Sequence, residues 1–320
     1  MSAVIETHDL TKVYKGISKA QDVSALTNLT IEVNEGEIFG YLGPNGSGKT
    51  TTIKLLLGLI FPTAGLMKIM GESNITSPMV RKNIGYLPEG AYYPDFLRGE
   101  EILRYYGSLY GMKGASLKKR IDEVLEIVGM TRARNRLIRG YSKGMRQRIG
   151  LAQALLSDPG ILILDEPTTG LDPVARKEIR DLLIQLRDQG KSLLISSHEL
   201  LEVELISDRV GILFEGVLQT SGTINELLAS REFTINAEAA APEAIQQVRE
   251  AGLSPEDSVA GSVVLRVPET MSLYDALEIC KSRNMKIVSV APRRETLEEV
   301  FVRVVGSAAK GKEHIEENPK

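Results

Sequence analysis

The chain holds a single cysteine, Cys280, in 320 residues. One thiol cannot close an internal disulfide, which points to a reducing compartment. A basic excess is missing too: 39 Lys and Arg stand against 42 Asp and Glu, a formal charge of −3. General nucleic-acid binders carry the opposite balance, so that class is disfavoured. Long apolar runs are also lacking. The stretch from Ile53 to Phe61 is broken by Lys54 and falls far short of the ~20 residues that span a bilayer. The opening MSAVIETHDL carries Glu6 and Asp9 and lacks the basic-then-apolar order of a secretory signal. The expectation is a chain that does not itself cross a membrane. No repeat of solenoid period is visible. What is present, 42% hydrophobic and 25% charged residues, is ordinary for a globular protein. The length suits one large domain or two smaller ones.

Leu29, Ile31 and Val33 alternate with Thr30 and Glu32, which predicts a half-buried strand. IFGYLG reads as a buried strand that enters a Gly-rich loop and then a helix from Lys49 to about Leu59. Between Arg98 and Asp158 the apolar spacing is helical. ILILD and SLLISS are continuous apolar runs of strand length. Between them PVARKEIRDLLIQLRDQG predicts a helix, with Pro173 in its first turn and Gly190 past its end. Strands alternating with helices predict an α/β fold, a mainly parallel sheet covered on both faces.

Two segments carry chemistry. GPNGSGKT occupies Gly43, Pro44, Asn45, Gly46, Ser47, Gly48, Lys49 and Thr50, and Thr51 follows. This is the G-x-x-x-x-G-K-S/T phosphate loop, placed as it must be between a strand and a helix. Its glycines let backbone N–H groups turn inward on phosphate oxygens, and the helix N-terminus adds partial positive charge. Lys49 is expected to reach the β- and γ-phosphates and the Thr50 hydroxyl to ligate Mg²⁺. ILILDE then places Asp165 at the C-terminal end of a central strand, where ligands bind in such sheets. Asp165 is expected to hold Mg²⁺ through its water shell. Glu166 could polarise a water for in-line attack on the γ-phosphate.

YSKGMRQR (Tyr141 to Arg148), LDEPTTGLDP (Leu164 to Pro173) and SSHEL (Ser196 to Leu200) follow in order. They resemble the signature motif, the acidic strand with its D-loop, and the switch-histidine loop of ATP-binding cassette (ABC) ATPases. The resemblance covers about Val4 to Ser230. It implies a P-loop NTPase with an ABC-type cassette: a mixed sheet core, an antiparallel β region and an α-helical signature subdomain. It also implies two cassettes packed head to tail as a homodimer, with each ATP between the phosphate loop of one and the signature of the other. Ser142 and Gly144 would then hold the γ-phosphate from the far side. Read alone, they favour an ordinary Ser N-cap on a buried helix over a second anion site. Lys143 and Met145 stand where the family pattern has Gly and Gln. By the same resemblance His198 contacts the γ-phosphate and positions the attacking water. Asp172 touches the opposite subunit, and can also cap the helix after Pro173. Glu89 stands where the family has a glutamine that ligates Mg²⁺ and senses a membrane partner. Tyr14 matches the adenine-stacking aromatic.

The function so implied is an ATPase that binds ATP and Mg²⁺ and drives a separately encoded integral-membrane permease from the cytoplasmic face. YLPE, YSKGMRQR and PRRETLEEVFVRVVG resemble the ABC-2 export group in particular. The alternative is a soluble ABC ATPase acting on the ribosome or DNA. Relatives of that kind carry long coiled coils or two cassettes, and this chain has neither sustained heptads nor a second phosphate loop. LKKR and RARNRLIR read as solvated helical faces rather than a nucleic-acid patch, since neither interleaves aromatics.

Past Ser230 the pattern changes to a small α+β unit, ferredoxin-like or related, that braces the cassette or its dimer. The expected domains are 1–230 for the cassette, 231–306 for this unit and 307–320 for a disordered tail. Phe233, Ile235, Val263, Leu265, Ile287, Val288 and Val290 are its expected core. Leu297, Val300 and Phe301 on the last helix are expected to pack back onto the cassette. No metal-ligand spacing of His, Cys or carboxylates occurs there.

Overall fold

A computed structural model describes residues 2–16, 21–90, 92–238, 242–256 and 262–316. The chain divides into two compact units, Met1–Ile224 with Phe301–Lys320, and Asn225–Val300.

The first unit is built on a six-stranded sheet of β3 (Ile38–Leu42), β5 (Ile84–Leu87), β6 (Ile161–Asp165), β7 (Ser192–Ser197), β8 (Arg209–Phe214) and β9 (Val217–Thr223). Its order is β5-β6-β7-β3-β8-β9, parallel throughout except for the β8–β9 hairpin. Every residue of β3, β6 and β7 is buried, as strands covered on both faces require. Side chains of β6 alternate between two cores. Leu162 and Leu164 pack with α3 (Gly99–Leu109), α4 (Gly114–Ile127), α5 (Lys143–Leu155) and α6 (Pro173–Asp188). Ile161 and Ile163 pack with Ile53 and Leu56 of α1 (Lys49–Leu56) and with a second sheet. That sheet is antiparallel, of β1 (Ala3–Tyr14), β2 (Val23–Asn34) and β4 (Ala64–Ile69) in the order β2-β1-β4. On β2, Leu29, Ile31 and Val33 point inward between exposed Thr30 and Glu32. Helix α1 ends at Leu56, short of the expected Leu59, where Gly58 turns the chain at φ +63°. Two short helices, α2 (Pro78–Lys82) and α7 (Leu200–Glu204), follow β4 and β7. Among the described residues no helix is long and apolar enough to cross a membrane.

The second unit has the order β-α-β-β-α-β. Helix α8 (Ile224–Leu228) leads into β10 (Ala229–Glu238), α9 (Pro242–Glu250), β11 (Ser254–Glu256), β12 (Ser262–Val267), α10 (Leu273–Ser282), β13 (Ile287–Arg294) and α11 (Leu297–Glu316). The four strands form an antiparallel sheet, β11-β12-β10-β13. Strand β11 is three residues long around Pro255, too short to signal itself in the sequence. The unit begins before the expected 231 because residues 228 and 229 already belong to it. Leu228 accepts from the Glu295 N–H, and Ala229 pairs with Arg294.

The core of this unit differs from expectation at its edge. Ile235, Val263 and Leu265 are buried and Phe233 and Ile287 pack against them. Val288 and Val290 remain 62% and 39% exposed. Strand β13 is the sheet edge, and its pairing with β10 is irregular next to Val288, between Asn236 and Ala237. Cys280 is buried in this core, and burial pushes its thiol above the usual range. Leu297 and Val300 are buried, with Phe301 partly so. The tail expected to be disordered from 307 is helical as far as Glu316. Ala308, Ala309 and Lys310 are good helix formers that extend a turn already started. Residues 317–320 lie outside the described residues.

The difference between Ile235 and Val288 can be measured. Ile235→Ala is expected to destabilise the second unit by about 2–5 kcal/mol. Val288→Ala is expected to stay within about 0.5 kcal/mol of the parent. Denaturant unfolding of the two variants checks this.

Candidate functional site

Four neighbouring parallel strands end at one edge of the large sheet, and each delivers part of one cleft. The loop after β3 runs from Gly43 into α1. Asp165 closes β6 and Glu166 follows it. His198 follows β7, and Glu89 lies two residues past β5. The cleft has a volume of about 280 Å³ and is lined by Asn45, Gly46, Ser47, Gly48, Lys49, Thr50, Thr51, Glu89, Asp165, Glu166 and His198, with Val23, Ser24 and Ala25 from β2.

The loop needs its glycines. Gly46 and Gly48 take φ +80° and +108°, values that L side chains rarely adopt. A Cβ at Gly48 would also stand 2.6 Å from the Ala25 carbonyl oxygen. Helix α1 is fixed to β3 behind the loop, where the Thr52 hydroxyl lies 3.0 Å from the Tyr41 hydroxyl and donates to the Gly48 carbonyl at 3.1 Å. Lys49 is buried, and its Nζ donates to the carbonyls of Gly43 at 2.5 Å and Pro44 at 3.2 Å. Burial pushes its ammonium below the usual range, against the pull of Glu166, Asp165 and Glu89. Ser47 is 2% exposed and its hydroxyl has no hydrogen-bond partner among the described residues. A buried unpaired hydroxyl costs about 1–3 kcal/mol. It fits a loop whose polar groups await ligand oxygens.

The acidic side is equally constrained. Asp165 accepts from the Ser196 hydroxyl at 2.5 Å. Burial raises its carboxyl above the usual range, the Ser196 bond opposes this, and the charges of Glu166 and Glu89 add to it. The nearby Tyr86 hydroxyl is pushed up to about 12, by burial and then by Asp165 and Glu89. Glu166 sits at φ +52°, a left-handed conformation costly for a non-glycine residue. Its N–H donates to the Ser196 carbonyl at 3.1 Å. Its carboxylate is gripped at both oxygens: Thr169 Oγ1 donates to Oε2 at 2.8 Å, and His198 Nδ1 lies 2.9 Å from Oε1. The His198 side chain is 46% exposed, and that of Glu166 6%.

Other residues singled out in the sequence lie outside the cleft. Ser142 caps α5, accepting from Met145 N at 3.3 Å, and is exposed at the helix N-terminus. Gly144 is buried in the first turn of that helix, where a Cβ would meet the Ala175 Cβ at 3.1 Å. Asp172 caps α6, accepting from Val174 N at 3.1 Å and Ala175 N at 2.9 Å, and is also exposed. Tyr14 is a strand away: it pairs with Val23, which lines the cleft, and its ring lies 5.3 Å from Lys12 Nζ.

Residues 26–169 match the family described as ABC transporter. An uncharacterised ABC transporter ATP-binding protein of Synechocystis sp. is 39% identical over 304 residues, covering 94% of this chain and 84% of the relative. The chain belongs to the ABC transporter ATP-binding proteins. It is a transporter ATPase subunit that binds and hydrolyses ATP. It is also 35% identical to the bacitracin transport ATP-binding protein BcrA of Bacillus licheniformis, over 97% of this chain and all of that protein. Among solved structures it is similar to a dimeric ATP-binding cassette in a post-hydrolysis state bound to ADP and Pi. That match has a TM-score of 0.62 and 26% identity, covering 69% of this chain and 98% of the other.

Within this ABC cassette, three groups escaped the sequence reading. Ser196 and Thr169 hold the two acids, and the β2 stretch Val23–Ala25 forms a wall of the cleft. Serines and threonines beside an acidic motif carry no signal of their own, and the β2 wall arrives from a strand far off in sequence.

The charge excess of the cleft has a measurable cost. Asp165→Asn removes a carboxylate whose ionised form is disfavoured by burial and by Glu166 and Glu89. The nucleotide-free variant is expected to be more stable than the parent by about 1–2 kcal/mol at neutral pH. The ordinary carboxyl value is 3.8 and the folded one is higher. The parent therefore loses stability as pH rises from 3.8 through that higher value. The advantage of Asn develops over the same window and vanishes below it. Thermal unfolding at a series of pH values checks the sign.

Proposed function

We propose that the cleft binds Mg²⁺–ATP and that Glu166 is the general base of its hydrolysis. The observation that carries this is the grip on the Glu166 carboxylate, held by Thr169 on one oxygen and His198 on the other, across from Lys49. A base must be held still and have somewhere to pass a proton. Glu166 takes the proton of the attacking water, and His198 orients the pair and contacts the γ-phosphate. Lys49 leaves the Gly43 and Pro44 carbonyls for the β- and γ-phosphates. Ser47 and the N–H groups of the loop, from Asn45 to Thr51, take phosphate oxygens. The donors available for Mg²⁺ are the Thr50 hydroxyl, Asp165 and Glu89, all hard oxygens. Among the described residues no three His, Cys, Asp or Glu gather as a metal site. That suits an ion held largely by phosphate and water. Bound there, Mg²⁺ neutralises charge on the phosphates. Tyr14 is not among the residues that line the cleft, so its stacking role stands on the family resemblance.

The working unit in this proposal is a head-to-tail homodimer. Ser142 and Asp172 are exposed caps away from their own chain's cleft, with Gly144 in the first turn beside Ser142. A second copy can present them to the γ-phosphate and the phosphate loop, and the dimeric cassette with ADP and Pi supports this. The dimer drives a separately encoded integral-membrane permease from the cytoplasmic face, in the export direction, and no nucleic acid takes part. In this proposal the second unit, which supplies no catalytic residue, braces the cassette or its dimer.

Glu166→Gln keeps the shape and loses the base. Turnover is expected to fall ~10²–10⁴-fold while ATP still binds. Near-normal hydrolysis in that variant would reject the assignment. The two-chain site is tested by mixing Ser142→Arg protein with Lys49→Ala protein. Each is expected to be inactive alone. Their mixture pairs one intact site with one doubly damaged site and recovers part of the activity. Absence of recovery at every mixing ratio would show that each chain works alone.

A further inference from the structure

Two loops of the cassette are linked through one side chain. One carries Asp172 and the other His198. Among the described residues the His198 side chain hydrogen-bonds only with Glu166, and it is nearly half exposed. The loops are bridged on their far side by a cluster of two cations and two anions. Arg176, one turn into α6, donates from Nη2 to the carbonyl of Leu171, the residue before Asp172, at 3.3 Å. Its Nη1 lies 3.4 Å from Oε2 of Glu199, the residue after His198, and 3.6 Å from Oε1 of Glu202. Glu199 is in turn folded back on the loop, with its N–H donating to Ser197 Oγ at 2.9 Å. One guanidinium therefore holds the neighbours of both Asp172 and His198.

The other half of the cluster is an anchor. Glu202, 6% exposed, accepts from Arg180 Nη1 at both carboxylate oxygens, each at 3.1 Å. A carboxylate so buried needs that partner. It pins α7 to α6 one turn beyond Arg176. The contact between Arg176 and Glu199 is looser. Arg176 Nε and Glu199 Oε2 are buried without a hydrogen-bond partner among the described residues. A shift of a few tenths of an ångström would turn the 3.4 Å ion pair into a hydrogen bond.

We propose that Arg176 is a positioning residue that ties the Asp172 loop to the His198 loop, with the Arg180–Glu202 pair as its anchor. The inference rests on the reading above, in which His198 serves hydrolysis and Asp172 meets a second chain. Arg176 is not among the residues that line the cleft. It sets where His198 stands when the Asp172 loop is engaged.

The test uses the full chain with Arg176→Met, which keeps the stem, Arg176→Lys, which restores the charge, and Glu199→Gln. Turnover, equilibrium ATP binding and the thermal midpoint are measured for each. Misplacing a catalytic group by about 1 Å can cost ~10²-fold. Arg176→Met is expected to lower kcat about tenfold while ATP affinity stays within about twofold of the parent. Arg176→Lys is expected to recover most of the loss. Glu199→Gln is expected to show a smaller loss with the parent's midpoint. Unchanged kcat in folded Arg176→Met would overturn the proposal. So would an equal fall in kcat and ATP affinity without recovery in the Lys variant. Should Arg176→Met fail to fold, Glu199→Gln decides alone, and parental turnover there overturns it. Glu166→Gln assayed alongside separates the two readings: activity in that variant rejects the base, whatever Arg176 does.

Discussion

The structure depends on the parallel pairing of β5, β6, β7 and β3. Parallel strands that share a direction also share an edge at which they end, so four segments distant in sequence open onto one place. The register matters as much as the direction. Asp165 pairs with Ser196, and Leu42 with Ser197. A slip of β7 by one residue would turn Ser196 to the opposite face. Asp165 would lose its donor, and His198 would no longer meet Glu166. The continuous burial of ILILD and SLLISS makes such a slip costly, because both faces of each strand are already packed.

Electrostatics support the proposal that the cleft takes a nucleotide together with a cation. Three carboxylates, of Glu89, Asp165 and Glu166, face one buried ammonium. The carboxyl of Asp165 is held above its usual range and the ammonium of Lys49 below its own. Each is therefore strained in its charged form. A bare triphosphate would add repulsion to this arrangement. In the proposed complex a divalent ion would offset it, and Lys49 would gain phosphate partners in place of two carbonyls. Backbone strain at Glu166 belongs to the same picture. Its left-handed φ is maintained because the N–H and both carboxylate oxygens are engaged by β7 and by the loops around it.

Much of this was readable from residue types. The phosphate loop is legible because φ values near +80° and +108° demand glycine at Gly46 and Gly48, and such demands leave a mark in any sequence that meets them. Strands β3, β6 and β7 are legible as unbroken apolar runs. The helices capped by Ser142 and Asp172 announce themselves by those residue types. Other features left no mark. Strand β11 has three residues. The exposure of Val288 and Val290 follows from β13 lying at the sheet edge, and apolar pattern alone assigns such residues to a core. The helix beyond Gly306 fails to read as ordered because its composition is polar, yet propagation from an existing turn is cheap.

The amino-acid sequence by itself determined the kind of chemistry: a phosphate loop, an acidic pair at a strand end and a histidine after a buried strand, each a local arrangement of neighbours along the chain. Only the tertiary structure decided what these groups touch. It set Thr169 and His198 on opposite oxygens of Glu166, put Ser196 beneath Asp165 and brought the β2 wall to the cleft. It left Tyr14 outside, and it carried Ser142, Gly144 and Asp172 away from their own phosphate loop. It also joined Arg176 to the neighbours of Asp172 and His198. The reason is that a local pattern constrains φ, ψ and burial of a few residues. Contacts between loops are fixed instead by strand order and register, which depend on the packing of the whole sheet.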